Sequence, residues 1–140
     1  MHSRFRILGL IGVCVSVAFG QQLTPVESKL VGDWSIPRRA ELTDNGFAGA
    51  THGFDVTSLK ADRTFSQTAH EMDLPVVQVL SGTWHADGEQ LLLKFTWAHP
   101  GMQEMVGQEL RLIISDLQPD RFVSANARNQ EQKMVWTRVK

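Results

Sequence analysis

Glu89-Gln90-Leu91-Leu92-Leu93-Lys94-Phe95-Thr96-Trp97-Ala98 decides the fold class of this chain. Leu91, Leu93, Phe95 and Trp97 fall on one face of an extended segment, with Lys94 and Thr96 on the other. That is the period-2 pattern of a strand buried on one side. Asp87-Gly88, just upstream, is a two-residue hairpin signal, so the segment pairs back onto Val76–Ala86. Downstream, Glu104–Ser115 repeats the pattern, with Leu110, Leu112 and Ile114 opposite Glu109, Arg111 and Ser115. Its length predicts a bulge at Gly107.

Working outward, the same alternation between turn residues gives Leu30–Ile36, His52–Lys60, Thr64–Met72, Asp120–Arg128 and Gln132–Val139. No segment after Leu30 holds a 3.6-residue period for three turns. Before it, Thr24-Pro25 with Glu27 three positions after the threonine is a helix start, predicting a short helix through Leu30. The expectation is therefore all-β: an eight-stranded antiparallel up-and-down β-barrel with a short N-terminal helix. A two-sheet sandwich carries the same alternation, but closing a meander hides both sheet edges.

The connections are uneven. Ala61-Asp62-Arg63, Asp87-Gly88 and Asp116–Pro119 are tight and fall at one end of such a meander. The other end receives His99–Gln103 and the stretch Pro37–Thr51, about fifteen residues read as a loop, a length that in a compact domain points to a functional segment.

Residues 1–20 read differently. Arg4 and Arg6 precede an apolar run from Ile7 to Phe19, and Ala18-Phe19-Gly20 offers small residues at a cleavage site, the organisation of an export signal. Val13 before Cys14, with apolar residues continuing beyond it, argues against lipid attachment there. The expected organisation is a signal peptide at 1–20 and one barrel domain at 21–140, secreted or periplasmic. Cys14 is the only cysteine, so the domain itself has no disulfide and no thiolate chemistry. Of the 14 Lys and Arg, two lie in residues 1–20, and none of the 15 Asp and Glu do, which leaves 12 against 15 and a formal charge of −3. Without a basic stripe the chain is not expected to bind nucleic acid, and no second apolar run is long enough to span a membrane.

Lys29-Leu30-Val31-Gly32-Asp33-Trp34 resembles the Gly-x-Trp motif that opens the first strand of lipocalins. A fuller similarity is to small bacterial secreted lipocalin-like domains. It runs through Leu30–Trp34, the hairpin from Ser58 to Phe65, Ser81-Gly82-Thr83-Trp84, and Gln90–Leu93, nearly all of the chain after residue 20. The resemblance implies a barrel, with Trp34 and Trp84 as core anchors and Arg138 on the last strand packed across Trp34. Arg63 departs from the pattern, standing where the family usually has glycine.

Within that frame Phe47, Phe65, Leu93, Phe95 and Trp97 are the expected lining of a pocket for a small, partly apolar ligand at the open end. A solid barrel acting as a protein-interaction or inhibitor module is the alternative. Arg38-Arg39 form a basic pair in the long loop. His52, His70 and His99 map to the loop-rich end with Glu71 and Asp73, but on strands that are not all neighbours, and no metal or other cofactor is expected. The nucleophile-elbow, zinc-protease and phosphate-loop motifs are all missing, so the chain is not read as an enzyme.

Overall fold

Thr24 starts the first element. Its hydroxyl accepts from the Glu27 amide (3.2 Å) and the Glu27 carboxylate accepts from the Thr24 amide (3.0 Å), a reciprocal capping box with Pro25 in the first turn. In the computed structural model, which describes residues 22–37, 41–43, 46–48, 53–71 and 73–140, this opens helix α1 (Pro25–Leu30). There follow β1 (Gly32–Pro37), β2 (Glu41–Thr43), β3 (Gly46–Ala48), β4 (Phe54–Leu59), β5 (Thr64–His70), β6 (Val77–Asp87) and β7 (Gln90–Ala98). A 3₁₀ segment, Pro100–Met105, leads to β8 (Glu109–Ser115), β9 (Arg121–Asn126) and β10 (Asn129–Arg138). The export signal expected at residues 1–20 lies outside the described residues.

Eight strands close an antiparallel barrel in the order β1-β10-β9-β8-β7-β6-β5-β4, with β1 pairing β4 to shut the ring. Apart from the inserted β2–β3 pair, each strand neighbours the next in sequence, so the barrel is an up-and-down meander. The inward rows are mostly apolar: Trp34 and Ile36 from β1, Leu59 from β4, Phe65 from β5, Leu80 and Trp84 from β6, and their counterparts on β7 to β10 are all buried. Trp34, Phe122 and Trp136 stack through one another, with ring centroids 4.7 and 4.9 Å apart. Such pairs prefer edge or offset geometry, as here.

Three expectations are corrected. The stretch Pro37–Thr51, read as a loop, contains the β2–β3 pair, with Leu42 opposite Phe47. Three-residue strands are too short for alternation to register. The strand expected from Glu104 begins only at Glu109, but the bulge expected at Gly107 is there at its head. At φ 87° Gly107 donates its amide to Phe95 O (2.8 Å) while the Phe95 amide donates to Gln108 O (3.0 Å), so two residues face one. The residues ahead instead form the 3₁₀ segment, whose Met102 and Met105 turn back against the barrel core. A further bulge, not expected, lies one strand earlier. Ser81 pairs Trp97 and Gly82 pairs Phe95, so Thr96 is the extra residue. Beyond it the alternation inverts: Ala98 faces in and is 1% exposed, while Trp97 is 42% exposed. Gly82 permits this close approach, since a Cβ there would stand 1.8 Å from the Lys94 carbonyl oxygen.

The β6–β7 hairpin also moves by one position. Asp87 pairs Gln90, so Gly88-Glu89 is the two-residue loop, with Gly88 at φ 59° in its first position. Glycine first is the signature of a type II′ hairpin, whose twist matches the strands it joins.

Candidate binding site at the loop-rich end

One end of the barrel is sealed. The Arg138 guanidinium lies 4.3 Å from the centroid of the Trp34 ring. It donates to three carbonyls, those of Pro119 (2.6 Å), Val31 (3.0 Å) and Lys29 (2.9 Å). The Trp34 indole donates to Leu30 O at 2.8 Å, which ties α1 to the first strand. Register places Trp34 opposite Arg138, and the inward positions of β10 are therefore Met134, Trp136 and Arg138. A groove of about 520 Å³ runs beside this closure between α1 and the β8–β9 turn, with Arg138 in its wall.

Glu27 completes the seal. Its side chain is 1% exposed and takes both arms of the Arg63 guanidinium, one of them at 2.9 Å, together with the Ala86 amide at 3.1 Å. Burial pushes its carboxyl up, but the bonds from Arg63, Thr24 and Ala86 outweigh that and hold it at about 2. Arg63 has φ 67°, the left-handed conformation that favours glycine. The side chain gives the residue its role: from this position the guanidinium reaches the buried carboxylate. Trp84 binds the same turn through its indole, which donates to Lys60 O at 2.9 Å.

Above the seal the interior is packed. Phe65, Leu93 and Phe95 are 2%, 3% and 3% exposed, and the two phenylalanines meet edge to face at 5.8 Å. Trp34 and Trp84 are equally buried. Phe47 pairs through its backbone in the β2–β3 hairpin, and its side chain lies outside the described residues, as do Arg38, Arg39 and His52. Trp97 faces outward. The five residues expected to line one pocket are thus not brought together among the described residues.

The opposite end carries the mouth. Ala69, Glu71, Leu74, Pro75, Val77, Val79 and His99 line a mainly apolar pocket of about 350 Å³, within the range of small-ligand sites. Its walls come from the end of β5, the start of β6 and the residue ahead of the 3₁₀ segment. The pocket depends on a second irregularity, where Thr68 pairs Gln78 but Gln67 pairs Leu80, leaving Val79 as the extra residue. Around it Leu74, Val76 and Val77 are 60%, 57% and 40% exposed. Only His99 and Glu71 of this lining had drawn notice in the sequence, and for a different chemistry. Leu74-Pro75 reads as a turn, and nothing in the alternation announces that the slip at Val79 turns it over the mouth.

Below the mouth the inward face becomes polar. Asp55 pairs Ala69, and Thr57 pairs Gln67. Gln67 donates to Asp55 at 3.1 Å. Asp55 and Gln67 are half-buried, whereas Thr57 is 1% exposed and its hydroxyl has no hydrogen-bond partner among the described residues.

Of the three histidines expected at this end, His70 and His99 are described, and they stand in different surroundings. His70 points outward, stacked on Phe54 at 4.9 Å with its Nε2 2.8 Å from the Thr68 hydroxyl, and His99 stands at the mouth. Among the described residues no group of three His, Cys, Asp or Glu side chains is placed to hold a metal ion. No helix among them is long and apolar enough to cross a membrane.

The chain matches no protein-family model and no curated protein. The fold and the site's geometry therefore carry the functional reading.

Proposed function

We propose that this chain is an exported lipocalin-like binding protein, taking a small, partly apolar ligand at the loop-rich end of its barrel. The observation that carries this reading is the asymmetry between the two ends. One is shut by α1, by Arg138 over Trp34 and by the Glu27–Arg63 pair. The other holds an apolar pocket whose rim leaves Leu74, Val76 and Val77 exposed to water. Exposed apolar side chains around a concavity are the usual mark of a contact site. Burying them against a ligand at about 25 cal/mol per Å² supplies the driving force.

Calorimetric titration with 1-octanol, an apolar chain of suitable size, tests the reading. Saturable binding to the protein and its loss in Val77→Asp support it. Binding that survives Val77→Asp places the ligand elsewhere and overturns it.

The packing of Phe65, Leu93 and Phe95 favours a second reading, a solid barrel acting as a protein-interaction module through the same apolar rim. It predicts no small-molecule binding and a partner released by Leu74→Glu.

A further inference from the structure

We propose that Thr57 and Gln67 form a polar subsite inside the barrel that takes the hydroxyl group of an otherwise apolar ligand, an inference that rests on the mouth being a binding site. The row crossing the barrel's inner face at this level is Trp34, Thr57, Gln67, Leu80 and Ala98 in successive register pairs. Three of the five are buried apolar residues. The Trp34 indole is engaged with Leu30 O, so it offers nothing to Thr57. A valine would fill the position of Thr57 with the same branching and without a polar atom. The hydroxyl that stands there instead is in a residue 1% exposed and has no partner among the described residues, although leaving a buried polar group unpaired costs about 1–3 kcal/mol.

Gln67 stands directly across from it, and residues paired in this way have Cβ atoms about 5 Å apart. The amide N–H of Gln67 is engaged with Asp55, which leaves the amide carbonyl as an acceptor beside a hydroxyl that both donates and accepts. A ligand hydroxyl satisfies both, donating to Gln67 Oε1 and accepting from Thr57 Oγ1. The subsite is reached from the mouth. Ala69, in the pocket wall, lies two residues along β5 from Gln67 on the same inward face, a rise of about 7 Å. Gln67 is half-buried and stands between the pocket wall at Ala69 and the buried Thr57. The geometry therefore fits an amphiphile whose hydroxyl enters first and whose apolar body fills the mouth.

The test compares 1-octanol with methyl octyl ether, which keeps the chain but cannot donate, by calorimetric titration of the whole protein and its Thr57→Val and Thr57→Ser variants. The expected result is that 1-octanol binds more tightly than the ether. Thr57→Val weakens 1-octanol about 5- to 10-fold, the worth of one neutral hydrogen bond, and leaves the ether unchanged, while Thr57→Ser restores the preference. Thermal melting of Thr57→Val, expected at or above the parent's temperature, shows that the fold is intact. Equal affinity for the two probes, or a Thr57→Val variant that binds 1-octanol as the parent does, overturns the subsite while leaving the mouth as a binding site. Saturable binding of neither probe overturns the subsite and the binding reading together.

Discussion

Arg138 lies over the face of Trp34, directly opposite it in the register between β10 and β1, and joins the last barrel strand to the first. Its guanidinium also holds the carbonyls of Lys29, Val31 and Pro119, so one side chain gathers α1, the start of β1 and the β8–β9 turn. Arg138→Ala is expected to destabilise the protein by about 2–3 kcal/mol, from lost charge-assisted hydrogen bonds and the cation–π contact. Arg138→Lys should recover less than half, because an ammonium cannot reproduce the planar fork. Urea denaturation of the three proteins measures both differences.

The Glu27–Arg63 pair makes an opposed prediction about backbone and side chain. Arg63→Gly relieves a left-handed residue, a gain of about 1 kcal/mol, but strands a buried carboxylate, a loss of about 3–5 kcal/mol. The net expectation is destabilisation by about 2–4 kcal/mol. In the Glu27→Gln background the same substitution should cost far less, since no charge is left behind. A double-mutant cycle on unfolding free energies reads the coupling directly.

Acid should weaken this seal at a defined point. The folded carboxyl of Glu27 sits at about 2 against an ordinary 4.5, so the native state binds fewer protons than the unfolded state between those values. Its contribution is complete above about pH 4.5 and is lost as the pH falls towards 2, amounting to at most about 3 kcal/mol. Asp62, held low by the hydroxyl and amide of Thr64, acts in the same direction. Unfolding midpoints at pH 6, 4 and 3 should fall steeply in the parent and more gently in Glu27→Gln.

The bulge at Thr96 separates two aromatic residues that sequence alternation puts on one face. Phe95→Ala should cost about 3–5 kcal/mol, as a buried aromatic truncated in a packed core. Trp97→Ser, on the outer face, should change stability by less than about 1 kcal/mol. Equal costs for the two would mean that both rings are interior and that the bulge is elsewhere.

This pair also shows how far the sequence was legible. The eight strands and the helix start at Thr24-Pro25-Glu27 were readable, because each rests on local spacing or alternation. Closure into a barrel drew on the need to hide sheet edges and on the lipocalin resemblance, and Arg138 across from Trp34 on that resemblance alone. The bulges at Thr96 and Val79 were not. A single extra residue leaves composition and turn chemistry untouched, yet inverts which side chains face inward beyond it. Trp97 is thereby lost from the interior, and Val77 and Val79 are gained for the mouth. The pairing of Arg63 with Glu27 was likewise hidden, since it joins residues 36 positions apart and shows in the sequence only as a missing glycine. Thr57 gave no warning, because a threonine in a strand fits the β pattern wherever its hydroxyl points.

The seam between β1 and β10 has a consequence for how the molecule comes into being. The carbonyl of Val31 waits for a guanidinium 107 residues further along the chain. A chain emerging from a ribosome, or threading through a narrow pore amino end first, can form its hairpins in turn but has no means of closing the ring until Arg138 is clear. Until then β1 and β10's other neighbour present unpaired edges. The barrel is thus a structure completed in one late event, and a chain cut short before that residue would keep most of its hairpins and lose its roundness.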